Sequence, residues 1–176
     1  VYIPKDENRL RPLGILTLYD RAMQALHLLA VDPIAEVRAD PHSYGFRKYR
    51  SVADAIAYCM EVFSMKDSPQ WILEADIQKC FDTISHDWLL HNIPLEKTIL
   101  RGWLRAGYME HGRVHKTTRG LPQGGILSPT LANMALDGME VMLVTYFHHS
   151  PKRRKQSKIA FVRYADDFCL LGTVPR

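Results

Sequence analysis

Hydrophobic positions change period several times along the chain, and each change marks an element. Val52, Ile56, Cys59, Met60 and Phe63 recur at i, i+4, i+7, i+8 and i+11, which predicts an amphipathic helix with these residues on its core face. Ser51 precedes the stripe with Asp54 three residues on, a capping pattern, and Ser68-Pro69 breaks the helix. Upstream, Leu18, Ala22, Ala25, Leu26, Leu29 and Ala30 predict a helix entered at Thr17, with Asp20 in the capping-box position. Pro33 should end or kink it. Ser85 to Asn92 and Leu95 to Arg105 read as two short helices around Pro94. Thr130 to Tyr146 is apolar on most sides and predicts one long buried helix, with Ser128 as its cap and Pro129 at its first position.

Elsewhere the period is two. In Trp71 to Asp76, the residues Trp71, Leu73 and Ala75 share one face, while Ile72, Glu74 and Asp76 share the other. Ile159 to Tyr164 and Phe168 to Leu171 predict a hairpin with Ala165-Asp166-Asp167 at its tip. An opening hairpin runs from Tyr2 to Lys5, turns at Asp6-Glu7-Asn8 and returns from Arg9 to Ile15; Pro4 and Pro12 make its arms edge strands. Tyr108 to Thr118 is a polar hairpin turning at His111-Gly112, and Asp40 to Tyr49 is a loop. Gly120 to Gly125 cannot be regular structure. Strands mixed with helices, and hairpins that pair antiparallel, predict an α+β fold with helices behind an antiparallel sheet. No glycine fingerprint follows a strand, which disfavours a dinucleotide-binding sheet.

Composition narrows the class. The chain has 176 residues, 47% of them hydrophobic and 24% charged, ordinary values for a globular domain with its own core. Cys59, Cys80 and Cys169 are odd in number and far apart, which argues against a disulfide scaffold and for a reducing, cytoplasmic setting. No apolar run approaches a membrane span. The chain starts at Val1, inside a strand-like segment, and reads as a piece of a longer protein. With 23 Lys and Arg against 19 Asp and Glu, the formal net charge is +4. The basic positions cluster at Lys5, Arg9 and Arg11, and again at Lys152, Arg153, Arg154, Lys155, Lys158 and Arg163. Such clusters suit a polyanion, and equally a solvated face. The eight His form no zinc pattern.

The sharpest chemistry is in Tyr164-Ala165-Asp166-Asp167. A tight hairpin favours Asn-Gly or Gly-rich pairs, because φ must be positive there. Two adjacent carboxylates stand in their place, either as a plain polar turn or as a functional demand. Asp76 ends its own strand, with Asp82 six residues on. If that strand lies beside the hairpin, Asp76 and Asp166 converge, and carboxylates in contact raise one another's pKa unless a cation intervenes. Oxygen donors without nearby His or Cys point to Mg²⁺, with Mn²⁺ as a substitute. Two such ions suit phosphoryl transfer.

At this point several motifs agree. Arg11-Pro12-Leu13-Gly14-Ile15, Ser43-Tyr44-Gly45-Phe46-Arg47, Asp76-Ile77-Gln78-Lys79-Cys80-Phe81-Asp82, Leu121-Pro122-Gln123-Gly124-Gly125 and Phe161-Val162-Arg163-Tyr164-Ala165-Asp166-Asp167-Phe168 follow one another in reverse transcriptase order. Across nearly its whole length the chain resembles the reverse transcriptase domain of bacterial group II intron-encoded proteins, or maturases. The resemblance implies the polymerase right-hand architecture, with fingers and the start of the palm in residues 1–70 and the palm in 71–176. Thumb, maturase and endonuclease parts would lie outside the chain.

The resemblance also implies roles. Asp76, Asp166 and Asp167 would be catalytic, with Asp76, Asp166 and the Ile77 carbonyl holding two Mg²⁺ ions. Phe81 would be the steric gate against a 2′-hydroxyl, the group that separates RNA from DNA. Lys5 and Arg11 would grip the dNTP triphosphate, and Gln123 would lie near the incoming nucleotide. Arg47 either contacts template or braces its loop, and Lys152, Arg153, Arg154 and Lys155 would contact nucleic-acid backbone. The implied partners are an RNA template (intron RNA), a DNA primer and dNTPs. Three departures stand out: Asp6-Glu7-Asn8 in place of a Pro-Asp-Gly type of turn, Leu16 in place of Pro, and Lys48-Tyr49 in place of Pro-Gly. The alternative to an active RNA-directed DNA polymerase is a catalytically silent RNA-binding maturase on the same fold. Phe81 argues against an RNA-copying RNA polymerase.

Overall fold

The computed structural model describes residues 2–6, 9–66, 68–148 and 159–172. The chain divides into two compact units: Val1–Val37 with Lys79–Ala135, and Arg38–Gln78 with Leu136–Arg176.

In the first unit, β1 (Tyr2–Asp6) and β2 (Arg9–Pro12) pair antiparallel, with a bulge between Pro4 and Asp6. The return arm is shorter than expected, because Leu13 to Thr17 leave the ladder. Helix α1 (Leu18–Arg38) starts as predicted: Thr17 Oγ1 accepts from Asp20 N at 3.1 Å and donates to the Asp20 carboxylate at 2.5 Å. Of the two outcomes expected at Pro33, an end is ruled out, and the buried face of α1 is not the apolar stripe. The helix runs through Pro33, because Pro33 and Leu29, whose carbonyl loses its donor, are both on the exposed side, where water can replace the bond. Its buried residues are Gln24, Val31 and Ala35, whereas Leu18, Leu26 and Leu29 are exposed. Gln24 goes inside because its amide oxygen accepts from Leu127 N, satisfying a buried backbone donor.

Further along this unit, α3 (Cys80–Thr83), α4 (His86–Asn92) and α5 (Lys97–Arg105) follow closely. Ser85 caps α4 through Trp88 N, and Glu96 caps α5 through Ile99 N. Backbone hydrogen bonding to Thr98 and Ile99 holds the Glu96 carboxyl below its ordinary range. β4 (Tyr108–Glu110) and β5 (Arg113–His115) form the expected hairpin, turning at His111-Gly112. Tyr108 stacks on His115, its cross-strand partner. Helix α6 (Ser128–Leu136) is buried along most of its length.

The second unit is built on the sheet β3–β7–β6, antiparallel throughout. Its strands are β3 (Trp71–Asp76), β6 (Ile159–Tyr164) and β7 (Asp167–Gly172). Helix α2 (Val52–Ser64) carries the full capping box: Ser51 Oγ accepts from Asp54 N, and Asp54 accepts from Ser51 N. Its buried face is not the predicted stripe. Val52, Ile56, Met60 and Phe63 are exposed, while Ala55 and Val62 are buried, with Tyr58 and Cys59 partly so. What decides the face is the partner on offer: Tyr44 and Val162 form a cluster that accepts Ala55, Tyr58 and Cys59. β3 alternates as expected, but Ile72 and Leu73 are both exposed, so its apolar face is only partly covered. At the far end of the ladder Trp71 sits opposite Gly172, and a Cβ at 172 would collide with the indole ring.

The predicted single helix from Thr130 to Tyr146 is two helices. Helix α7 (Met139–His148) begins after Asp137-Gly138, with Gly138 at φ 97°. A buried carboxylate makes the break: Asp40 accepts from Gly138 N at 3.0 Å and from Glu140 N at 3.2 Å, capping α7 in place of a preceding turn. No disulfide joins Cys59, Cys80 or Cys169. Among the described residues, no helix is long and apolar enough to cross a membrane.

Candidate functional site

The sheet of the second unit aligns the carboxylates. Asp76 and Asp167 are register partners across β3 and β7, and Asp167 is also the partner of Tyr164 across β7 and β6. The hairpin tip is therefore Ala165-Asp166 alone, with Asp167 already in its strand, one residue shorter than expected. Ile77 N donates to the Asp166 carbonyl at 3.1 Å, which carries the ladder one step past the strands. Asp76, Ile77, Asp166 and Asp167 thus meet at one end of one sheet. Pleating places Glu74 on the same face as Asp76 and Asp167. Partial burial, then the charges of Asp166, Asp76 and Glu74, push the Asp167 carboxyl above its ordinary value.

Crowded carboxylates of this kind fit a hard divalent cation. Among the described residues, no group of three or more His, Cys, Asp or Glu is placed so that it could hold a metal ion. Magnesium needs none: one or two carboxylates suffice when substrate phosphates and water complete its shell.

The turn carrying Asp166 is held from behind. Arg163 is fully buried, which corrects its place in the sequence-level basic cluster. It stands on β6 with the parity of Phe161, a core position, and that was the signal available in the sequence. Its Nη2 donates to Asp137 Oδ1 at 2.7 Å and its Nη1 to the Ala165 carbonyl at 3.2 Å. Burial pushes the Asp137 carboxyl up to about 6, against the opposing pull of Arg163. Residues 42–44 run beside β6, with Arg163 N donating to His42 O and Tyr44 N to Arg163 O, each at 2.9 Å. Arg47 Nη1 donates to the carbonyls of Asp40 and Ser43, so it braces its own loop, one of the two roles open at the sequence level. Asp40, Gly45 and Asp137 were not foreseen as supports.

The first unit holds a second group. Leu121 N donates to Phe81 O at 2.7 Å, and Gly120 N to Ile84 O at 2.8 Å. The ring of buried His86 meets the Gly120 carbonyl at 2.7 Å. The irregular loop is thereby clamped to α3, whose Phe81 is half-buried. Gly14 N donates to Gln123 O at 2.7 Å, and a Cβ at Gly124 would strike Gly14 O, so only glycine allows that approach. Asp82, grouped with Asp76 in the sequence, accepts a long hydrogen bond from Gln123 Nε2 at 3.4 Å. Lys5 and Arg11 lie on β1 and β2, and their side chains are outside the described residues. Lys152, Arg153, Arg154 and Lys155 also lie outside them.

The chain belongs to the reverse transcriptase (RNA-dependent DNA polymerase) family, whose profile matches residues 3–175. Among its relatives, the group II intron-encoded protein LtrA of Lactococcus lactis subsp. cremoris is 35% identical over 85% of this chain and 26% of that protein. The COX1/OXI3 intron 1 protein of Saccharomyces cerevisiae is 35% identical over 89% of this chain and 19% of that protein. Protein YkfC of Escherichia coli (strain K12) is 32% identical over 97% of this chain. The chain spans about half of YkfC, at 53%.

Proposed function

We propose that the chain is the polymerising part of an active RNA-directed DNA polymerase of the group II intron type. It adds dNTPs to a primer 3′ end by in-line attack on the α-phosphate, with pyrophosphate leaving. The observation that carries this reading is the register pairing of Asp76 with Asp167 at the foot of the Ala165-Asp166 turn. In this reading the β3–β7–β6 sheet is palm and the β1–β2 hairpin is fingers, with the division expected at residue 70.

Asp76 and Asp166, with the Ile77 carbonyl, would hold two Mg²⁺ ions, or Mn²⁺ in their place. Bound there, the ions supply charge neutralisation at the attacking and leaving oxygens. Asp167 supports that pair. The Phe81 ring excludes a 2′-hydroxyl, Gln123 lies along the incoming nucleotide, and Lys5 and Arg11 grip its triphosphate. Arg47 keeps the template-side loop in shape, while Lys152, Arg153, Arg154 and Lys155 meet nucleic-acid backbone. The partners are intron RNA as template, a DNA primer and dNTPs, in a reducing, cytoplasmic setting.

Primer extension on poly(rA)/oligo(dT) by the full-length protein tests this. Mg²⁺-dependent DNA synthesis is expected; RNA binding without extension would favour the silent maturase. Phe81→Val is expected to raise ribonucleotide incorporation, and unchanged sugar selectivity would refute the gate.

A further inference from the structure

We propose that Asp40, Asp137 and Arg163 are positioning residues for the Ala165-Asp166 turn, so that a buried ion pair sets where the Asp166 carboxylate stands. The inference rests on the reading of Asp166 as a metal-holding residue.

Ala165 adopts φ 59°, the left-handed region that disfavours a side chain, and neither turn residue is glycine. Such a conformation persists only where the surroundings over-determine it. Here they do so from two sides. Arg163 reaches the Ala165 carbonyl with one arm and Asp137 with the other. Gly45 lies so close to the Ala165 backbone nitrogen that a Cβ at 45 would collide with it. Asp137 is itself anchored: Asp40 N approaches Asp137 Oδ1 at 3.5 Å, and the Asp40 carboxylate caps α7. The chain of contacts therefore runs from the first turn of α7 through Asp40, Asp137 and Arg163 to the peptide between Ala165 and Asp166.

The chemistry requires an arginine. A guanidinium presents several donors in a rigid plane and can hold a carboxylate and a carbonyl at once; an ammonium on a flexible stem is a single point charge. A pair that served stability alone could be replaced by apolar residues of similar volume without loss, as buried ion pairs often can. A pair that aims the turn could not.

That contrast is the test. The full-length protein is prepared as wild type, as the double variant Asp137→Leu/Arg163→Met, and as Arg163→Lys. Thermal melting, Mn²⁺ binding by electron paramagnetic resonance without substrate, and kcat and KM for dTTP on poly(rA)/oligo(dT) are measured for each. Both variants are expected to melt cooperatively, to bind Mn²⁺ more weakly, and to lose about 100-fold in kcat, the scale of a small misplacement of a reacting group, with KM nearly unchanged. A folded variant of either kind with wild-type kcat and Mn²⁺ affinity would overturn the proposal. If the double variant does not melt cooperatively, Arg163→Lys decides alone. If the wild type extends no primer, the polymerase reading fails, and Mn²⁺ binding alone then decides this inference.

Discussion

Two hairpins in this chain solve the same tight-turn problem by opposite means. The β4–β5 turn uses His111-Gly112, both at positive φ (48° and 74°), both exposed, with open space around Gly112. Its local sequence is enough, since Gly at a position needing positive φ is the ordinary solution. The β6–β7 turn uses Ala165-Asp166, with Ala165 buried at φ 59° and pressed against the Gly45 segment. Its geometry comes from Arg163, Asp137 and the 42–45 segment. The difference teaches that a turn committed to carrying a carboxylate can surrender its own turn chemistry only if the core behind it supplies the missing constraint.

The comparison can be broken at five positions. Asp166→Asn is expected to abolish primer extension while leaving RNA binding measurable by filter retention; His111→Asn in the other turn should leave extension near wild type. Gly45→Val should force the 42–45 segment off the Ala165 backbone. Overpacking of this kind costs about 1–3 kcal/mol. Extension should fall with stability in denaturant titration, and full activity would show that the Gly45 contact is dispensable. Gly112→Ala should cost about 1–2 kcal/mol, the left-handed penalty, with no effect on extension. Ala165→Gly should change stability least. Relief of about 1–2 kcal/mol of left-handed strain is opposed by about 0.5–1 kcal/mol of added chain entropy. The net is a gain of about 0–1.5 kcal/mol, and a loss of stability in thermal melting would mean that the Ala165 methyl group is needed for packing.

What the sequence revealed and what it hid follow one division. Features decided within a few residues were legible. The Ser51–Asp54 box, the Thr17–Asp20 cap, the His111-Gly112 turn and the alternation that puts Glu74 and Asp76 on one face all stand in the structure. Features decided by partners far along the chain were not. The face that α2 buries depends on Tyr44 and Val162, and the burial of Gln24 on α1 depends on Leu127. The break between α6 and α7 depends on Asp40, about a hundred residues away in the chain. The convergence of Asp76 with the hairpin acids was legible as a condition, and the β3–β7 pairing is the fact that meets it. Arg163 was misjudged for the same reason: charge composition made it a surface residue, and its burial is compensated by Asp137, distant in sequence, together with the Ala165 carbonyl.

Because Asp76 faces Asp167 through strict one-to-one pairing from Trp71 opposite Gly172 onward, the acidic end of the sheet has a parity. Losing or gaining a single residue within β3 would rotate Glu74 and Asp76 to the opposite surface, whereas a two-residue change would restore their orientation. Trp71 stacked over Gly172 acts as the index mark for that count, so evolutionary or engineered length changes in this strand should be tolerated only in even steps.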